Sequence, residues 1–238
     1  MIKKYTESFF KSVGFIPPVE AAGKFEKFFY MLKEWNKKFN LTNITCEKET
    51  AIKHFVDSLF ILSTGLMSGV YKMIDTGSGA GFPGIPLSIV YPDKKITLLD
   101  ANNKKKDFLL NVKKELELDN TYIIRERAEN ISRLNSHREK YDICISRALA
   151  KYPVAAEISI GLVKKNGYFC YYASRKQAKE LIKSKIYKDL GAELQVPLLY
   201  SLPDGMGEHA IIIVKKLWKT GHKYPREFNK IKAKPLAI

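Results

Sequence analysis

Met73-Ile74-Asp75-Thr76-Gly77-Ser78-Gly79-Ala80-Gly81-Phe82-Pro83-Gly84 is the stretch on which the fold turns. A short apolar run ends in an acid. Three glycines follow at alternate positions, and Pro-Gly leads into the apolar stretch Ile85 to Val90. This pattern predicts a strand that turns sharply into a helix. Glycine admits φ > 0 and lets a ligand approach the main chain closely. A helix start offers unpaired N–H groups to a polar or anionic ligand. Alone, Gly-x-Gly-x-Gly also fits a tight βα turn with no ligand, so its surroundings decide.

Downstream, strand-like segments at 71–75, 95–100, 121–125, 141–145 and 167–173 alternate with helix-like stretches at 84–91, 103–116, 153–164 and 175–189. Such alternation predicts a parallel sheet with helices on both faces. Segments 193–200 and 209–216 are joined by Ser201-Leu202-Pro203-Asp204-Gly205-Met206-Gly207, too short for a crossover helix, which predicts an antiparallel finish. Upstream, a short helix is read before Pro17-Pro18. Phe25, Phe28, Phe29, Leu32, Trp35 and Phe39 then recur at helical spacing, as do Ala51, Phe55, Leu59 and Leu62. The aromatic stripe reads as a core face, not a base-stacking platform. The chain thus divides into a helical N-terminal region (1–66), an α/β domain (67–217) and a basic C-terminal tail (218–238). Pro225, Pro235 and many lysines give that tail the composition of a poorly ordered segment. Lys53, His54 and Asp57 lie off the apolar stripe. Lys53 and Asp57 either pair across one helical turn, or their face looks into an active-site mouth.

Composition narrows the partners. With 45% hydrophobic and 12% aromatic residues, the 238-residue chain reads as globular. No apolar run approaches the roughly 20 residues of a membrane helix. Met1 to Glu7 lack the hydrophobic core of a signal peptide, which points to the cytoplasm. Cys46, Cys144 and Cys170 show no Cys-x-x-Cys pair, and the histidines have no metal spacing, so neither disulfides nor a metal is expected. The net charge of +16 predicts a polyanionic partner, nucleic acid before an anionic membrane. The charge is clustered. Lys104, Lys105 and Lys106 are consecutive, and from Lys215 onward eight basic residues face Glu227 alone.

Asp100 ends the second strand, 23 residues past Gly77. In doubly wound folds an acid there accepts two hydrogen bonds from a ribose diol. A nucleoside-bearing cofactor follows, but NAD and S-adenosylmethionine remain open at this spacing. Three features favour the second. The loop is not Gly-x-Gly-x-x-Gly; the sheet ends antiparallel; and Asp75 stands where a carboxylate can meet a cationic ligand.

Ile74 to Leu87 resembles the signature of the bacterial small-subunit (16S) ribosomal RNA guanine-N7 methyltransferases, the glucose-inhibited division protein B family. Similar to that family in order are Trp35-Asn36-Lys37-Lys38-Phe39-Asn40-Leu41-Thr42, His54-Phe55-Val56-Asp57-Ser58-Leu59 and Leu98-Leu99-Asp100. So are Arg127-Ala128-Glu129, Tyr141-Asp142-Ile143 with Ser146-Arg147-Ala148, and Lys223-Tyr224-Pro225-Arg226. The resemblance implies a Rossmann-like class I methyltransferase sheet, mostly parallel with an antiparallel final strand, plus an α-helical N-terminal extension. It implies S-adenosylmethionine as methyl donor, contacted by Gly77, Gly79 and Phe82, with Asp100 on the ribose, Ala128 and Glu129 beside the adenine, and Arg147 lining the site. It also implies 16S ribosomal RNA as substrate, within the small subunit or an assembly intermediate. Two stretches depart from the family pattern. Tyr171-Tyr172-Ala173-Ser174-Arg175 lacks the usual lysine, and Glu227-Phe228-Asn229-Lys230-Ile231-Lys232 replaces a Gly-x-Pro-x-Lys segment.

Guanine N7 carries a lone pair and no proton, so methyl transfer to it needs no general base, and none is assigned. Catalysis would rest on alignment and electrostatics. Arg147, His54 and Asp57 are the positioning candidates; Lys104, Lys105, Lys106, Lys223 and Arg226 are the RNA-binding ones. The rival readings are a methyltransferase acting on another RNA, a protein or a small molecule, and a nucleoside-binding, RNA-associated module that does not catalyse. A monomer is the default expectation.

Overall fold

Apolar residues alternate between two faces along the central strands, and that alternation creates the layers. A computed structural model describes residues 1–44, 46–181 and 186–236. The first elements are α1 (Ile2–Ser12), α2 (Ala21–Asn36), α3 (Glu47–Thr50) and α4 (Asp57–Leu59), with a π-helical segment, Ala51–Val56, joining the last two. Then follow β1 (Lys72–Thr76), α5 (Gly84–Val90), β2 (Lys95–Leu99), α6 (Asn103–Glu115), β3 (Thr121–Ile124), α7 (Ala128–Ile131) and β4 (Tyr141–Arg147). The chain continues through α8 (Tyr152–Ser159), β5 (Val163–Ser174), α9 (Arg175–Leu181), α10 (Ile186–Asp189), β6 (Ala192–Leu194), β7 (Leu198–Ser201), β8 (Glu208–Lys216) and α11 (Phe228–Ala233).

The sheet order is β3-β2-β1-β4-β5-β8-β6, with β7 also paired to β8. Strands β1 to β5 are parallel; β8 runs antiparallel to β5, β6 and β7. The expected strand 193–200 is two pieces. Pro197 lies between β6 and β7, and proline cannot donate to a ladder. The expected helix 153–164 ends at Ser159 and passes through a 3-10 turn, so β5 starts earlier than expected. Residues 182–185 of the expected helix 175–189 lie outside the described residues.

Met73, Ile96, Leu98, Ile143, Ile145, Tyr172 and Ile211 face one core, shared with α1, α2, α4, α5 and α6. Ile74, Leu99, Cys144, Phe169, Tyr171 and Ile212 face the other, shared with α7, α8, α9 and α11. The N-terminal helices pack on the α5–α6 layer and the glycine loop: Phe28 meets Phe108 of α6 at 6.2 Å and Phe82 at 5.1 Å, and Phe25, Phe28 and Phe55 are each fully buried. Helix α6 is capped by Asn102, whose side chain accepts from Lys105 N at 3.3 Å, and Lys113 and Lys114 suit its negative C-terminal end. Among the described residues no helix is long and apolar enough to cross a membrane.

The C-terminal segment is not loose. The Arg138 guanidinium donates to the carbonyls of Tyr224 at 2.9 Å and Thr220 at 2.7 Å. Lys216, fully buried, donates to the carbonyls of Ile160 and Val163 and to Thr220 Oγ1. Burial lowers its pKa to about 8, although nearby Glu139 opposes that shift. Composition cannot foresee such order, because a charge count does not tell which cations face inward.

Candidate functional site

In this topology β1 and β4 are neighbours whose following helices lie on opposite faces, the position where a ligand crevice opens at the carboxyl ends of the strands. The glycine loop leaves β1 there. The N–H groups of Gly77 and Ser78 donate to Leu99 O at 2.8 and 3.1 Å, fixing the loop to the end of β2. Gly77 has φ +74°, and a Cβ there would meet Leu149 Cδ1 at 2.6 Å, so conformation and neighbours both exclude a side chain. Gly84 is required for packing: its Cβ would lie 2.1 Å from Leu98 Cδ2.

Asp100 stands at the rim. Its Oδ2 accepts from Gly79 N at 2.9 Å and its Oδ1 from Asn102 N at 2.9 Å, while Lys105 Nζ lies 3.6 Å away. A cleft of about 280 Å3 opens beside it, lined by Gly77, Asp100, Lys105, Ala128, Glu129, Leu149 and Phe228 among others. Within it Glu129 Oε1 is buried with no hydrogen-bond partner among the described residues; Arg127 Nη1 is 3.7 Å away. A buried acceptor of this kind is costly unless something donates to it. A bare glycine wall, a rim carboxylate and an unsatisfied acceptor fit the hydroxyls and amino group of a nucleoside.

Arg147, Asp57, His54 and Phe82 form a second group outside that cleft, on the face of the N-terminal helices. Asp57, 3% exposed, is held by three side chains. Its Oδ1 accepts from Tyr200 OH at 2.7 Å and lies 2.8 Å from His209 Nδ1; its Oδ2 accepts from Arg147 Nη1 at 3.0 Å. Burial alone would raise its pKa, but the His209 hydrogen bond and the Arg147 charge prevail and hold it below the usual carboxylate range. Arg147 also donates to Lys53 O at 3.1 Å. Nearby, the N–H of Asp57 reaches back five residues to Ile52 O in the π-helical turn. Burial first, and then the Arg147 charge, depress His54 to about 3, so its imidazole is neutral at ordinary pH. The anticipated Lys53–Asp57 pair is absent; Lys53 bonds Glu49 at 2.6 Å instead.

Several expected residues sit differently. The Phe82 ring does not cover the cleft. It packs at 5.1 Å on Phe28, 5.4 Å on Phe55 and 4.7 Å on His54, with the Arg147 guanidinium 5.4 Å from its centre. The Phe82–Pro83 peptide is cis. Asp75 is fully buried, with Oδ2 accepting from Gly84 N at 3.0 Å and Oδ1 unpartnered among the described residues, so it does not face a ligand in the cleft. Burial raises its pKa to about 7. Lys104 and Lys223 are exposed, Lys106 is half-buried, and Lys105 faces the cleft. Arg226 is engaged elsewhere, donating from Nε and Nη2 to Glu157 at 2.8 and 2.7 Å. Leu149, Tyr200, His209 and Phe228 had no signal in sequence spacing, since each joins its site from a distant segment. Among the described residues no cluster of three or more His, Cys, Asp or Glu could hold a metal ion.

Comparison with known proteins agrees with this geometry. The model of the family described as rRNA small subunit methyltransferase G matches residues 21–198. Ribosomal RNA small subunit methyltransferase G of Caldanaerobacter subterraneus is 40% identical over 213 residues, 89% of either chain. Its counterpart in Lachnoclostridium phytofermentans is 41% identical over 214 residues, 90% of this chain and 88% of that one. Among solved structures, a mutant of MtNAS in complex with S-adenosylmethionine shares the fold with a TM-score of 0.54 at 17% identity, over 81% of this chain and 76% of that one. Fibrillarin of Methanococcus jannaschii does so with a TM-score of 0.50 at 18% identity, over 64% and 68%. Two fifths identity along nearly the whole chain, on a methyltransferase-like sheet, means that the chain belongs to the rRNA small subunit methyltransferase G family.

Proposed function

We propose that the protein transfers the methyl group of S-adenosylmethionine to N7 of a guanine in 16S ribosomal RNA. The observation that carries this is the cleft at the β1/β4 switch point, with its unsatisfied Glu129 carboxylate oxygen, in a chain of this family. Held by Gly77, Asp100, Ala128 and Glu129, the cofactor would supply an electrophilic methyl carried on a sulfonium, matched to the lone pair of N7.

The protein's own residues bind and orient. Gly77 gives the cofactor a wall without a side chain, and Gly79 acts beside it by holding Asp100 through its N–H. Asp100 accepts from the ribose hydroxyls. Ala128 and Glu129 flank the adenine, and Glu129 Oε1 gains the donor it lacks. Phe82 acts from behind, fixing the loop against the N-terminal helices. Arg147 orients the guanine or a nearby phosphate, positioned by Asp57 with His54 alongside. Because Asp57 neutralises Arg147, the site does not repel a sulfonium or the cationic N7-methylguanine product. The guanine N7 has no proton to remove, and the neutral His54 is not required as a base.

Lys104, Lys105, Lys106 and Lys223 supply cations for the RNA backbone on a chain of net charge +16. The substrate is naked RNA, the small subunit or its assembly intermediate, met in the cytoplasm by a monomer. Radiolabelled methyl transfer to ribosomal RNA from a strain lacking the gene, followed by mapping of the modified atom, tests this reading. Label confined to protein, or to another atom of the base, overturns it.

A further inference from the structure

Phe228 is the point where three openings meet. It lines the cleft that holds Asp100, Ala128 and Glu129. It also lines an adjoining groove of about 720 Å3 beside Arg127 and Arg133, and an apolar groove of about 800 Å3 beside Tyr152. The ring is only partly buried, so core packing does not account for it. Yet it is held in place from both sides. Two residues before it, Arg226 grips the fully buried Glu157 through two side-chain hydrogen bonds. Three residues after it, Ile231 is fully buried in the core around α8. The Arg127 guanidinium stands 5.7 Å from the ring centre.

We propose that Phe228 is a cofactor-contact residue: the C-terminal segment closes the outer wall of the cleft, and the Phe228 ring covers the nucleoside part of S-adenosylmethionine. This rests on the cofactor reading above. The nucleoside is the part concerned because the ring shares its cavity with Asp100, Ala128 and Glu129, the groups assigned to ribose and adenine, and not with Arg147. An aromatic ring suits that place. Every base has a π-face, and stacking against a pre-positioned ring removes apolar surface from water with few side-chain torsions to fix. Arg127 over the ring restrains it further.

Calorimetric titration of the full-length protein with S-adenosylhomocysteine and with 5′-methylthioadenosine tests the inference in wild type, Phe228→Ala, Phe228→Leu and Phe228→Trp. The second ligand keeps the nucleoside and lacks the amino-acid end. Phe228→Ala is expected to weaken both ligands by about tenfold, as loss of one base–aromatic stack should. Phe228→Trp should bind like wild type. Phe228→Leu keeps apolar bulk and loses the aromatic face; its weakening at an unchanged unfolding midpoint separates contact from stability. Equal affinities in wild type and the Leu variant overturn the proposal and leave the cofactor reading standing. Weakening of S-adenosylhomocysteine alone overturns the nucleoside placement. A wild-type protein that binds neither ligand overturns the cofactor reading, and this proposal with it.

Discussion

Arg147 and Asp57, 90 residues apart, share a 3.0 Å hydrogen bond that ties the end of β4 to the N-terminal helices. Both are mostly buried, at 16% and 4% side-chain exposure. Removing one partner strands the other charge, which typically costs about 3–5 kcal/mol. Asp57→Asn and Arg147→Met are each expected to lose stability on that scale in urea unfolding. The double variant should lose less than the sum, because the pair is coupled; additive losses would refute the coupling. At a temperature where Arg147→Met stays folded, methyl transfer should fall. Unchanged turnover would remove Arg147 from the site.

Phe82 makes the second junction between the glycine loop and the helical layer. Its ring is 4% exposed and packs on Phe28, Phe55 and His54. Truncation to Ala should cost about 3–5 kcal/mol, and Phe82→Leu less, because Leu fills part of the cavity. Amide exchange in α2 and in Ala51–Val56 should accelerate in the Ala variant. Unaltered protection there would show that the layer does not dock through Phe82.

The strand–turn–helix at Ile74 to Gly84 was legible because local chemistry dictates it: apolar alternation ends where glycines begin. The parallel strands followed from the alternation of strands with helices, and the antiparallel finish from a connection too short for a helix. The direction of individual charges was not legible. Lys216 and Arg226 belong to one basic run in sequence, yet one is fully buried and the other grips Glu157. Nor could spacing reveal that Tyr200 of β7 and His209 of β8 converge on Asp57. The resemblance places Phe82 among the cofactor contacts. Only its packing shows that the ring turns away from the cleft.

Asp75 should leave a pH signature. Burial raises its folded pKa to about 7, against an ordinary value near 3.8, and its Oδ1 has no partner among the described residues. A raised folded pKa means that the native state binds the extra proton. The associated stability is fully present below the unfolded value and is lost as pH rises through about 7. Asp75→Asn, which cannot ionise, should therefore gain on wild type between pH 5 and pH 8. Its opposite is His54, whose folded value is depressed to about 3, so that His54 favours unfolding as pH falls below about 6.5. His54→Gln should be the variant that gains on acidification. Urea unfolding at both pH values checks the pair; a pH-independent difference for either variant would contradict its assignment.

Lys223 and Arg226 should separate RNA binding from folding within one short segment. Lys223 is exposed, whereas Arg226 satisfies both oxygens of Glu157, a carboxylate at 0% exposure. Lys223→Ala should leave stability unchanged and lower the slope of log affinity for RNA against log salt by about one at most, as expected for a single lost phosphate contact. Arg226→Ala should leave a buried carboxylate unpaired and cost about 3–5 kcal/mol. Added salt should not abolish that loss, since buried pairs are screened far less than exposed ones. Filter binding across a salt series and urea unfolding distinguish the two effects. A full-strength salt slope in Lys223→Ala would exclude it from the RNA interface, and an undiminished stability in Arg226→Ala would show that the Glu157 pair does not anchor the C-terminal segment.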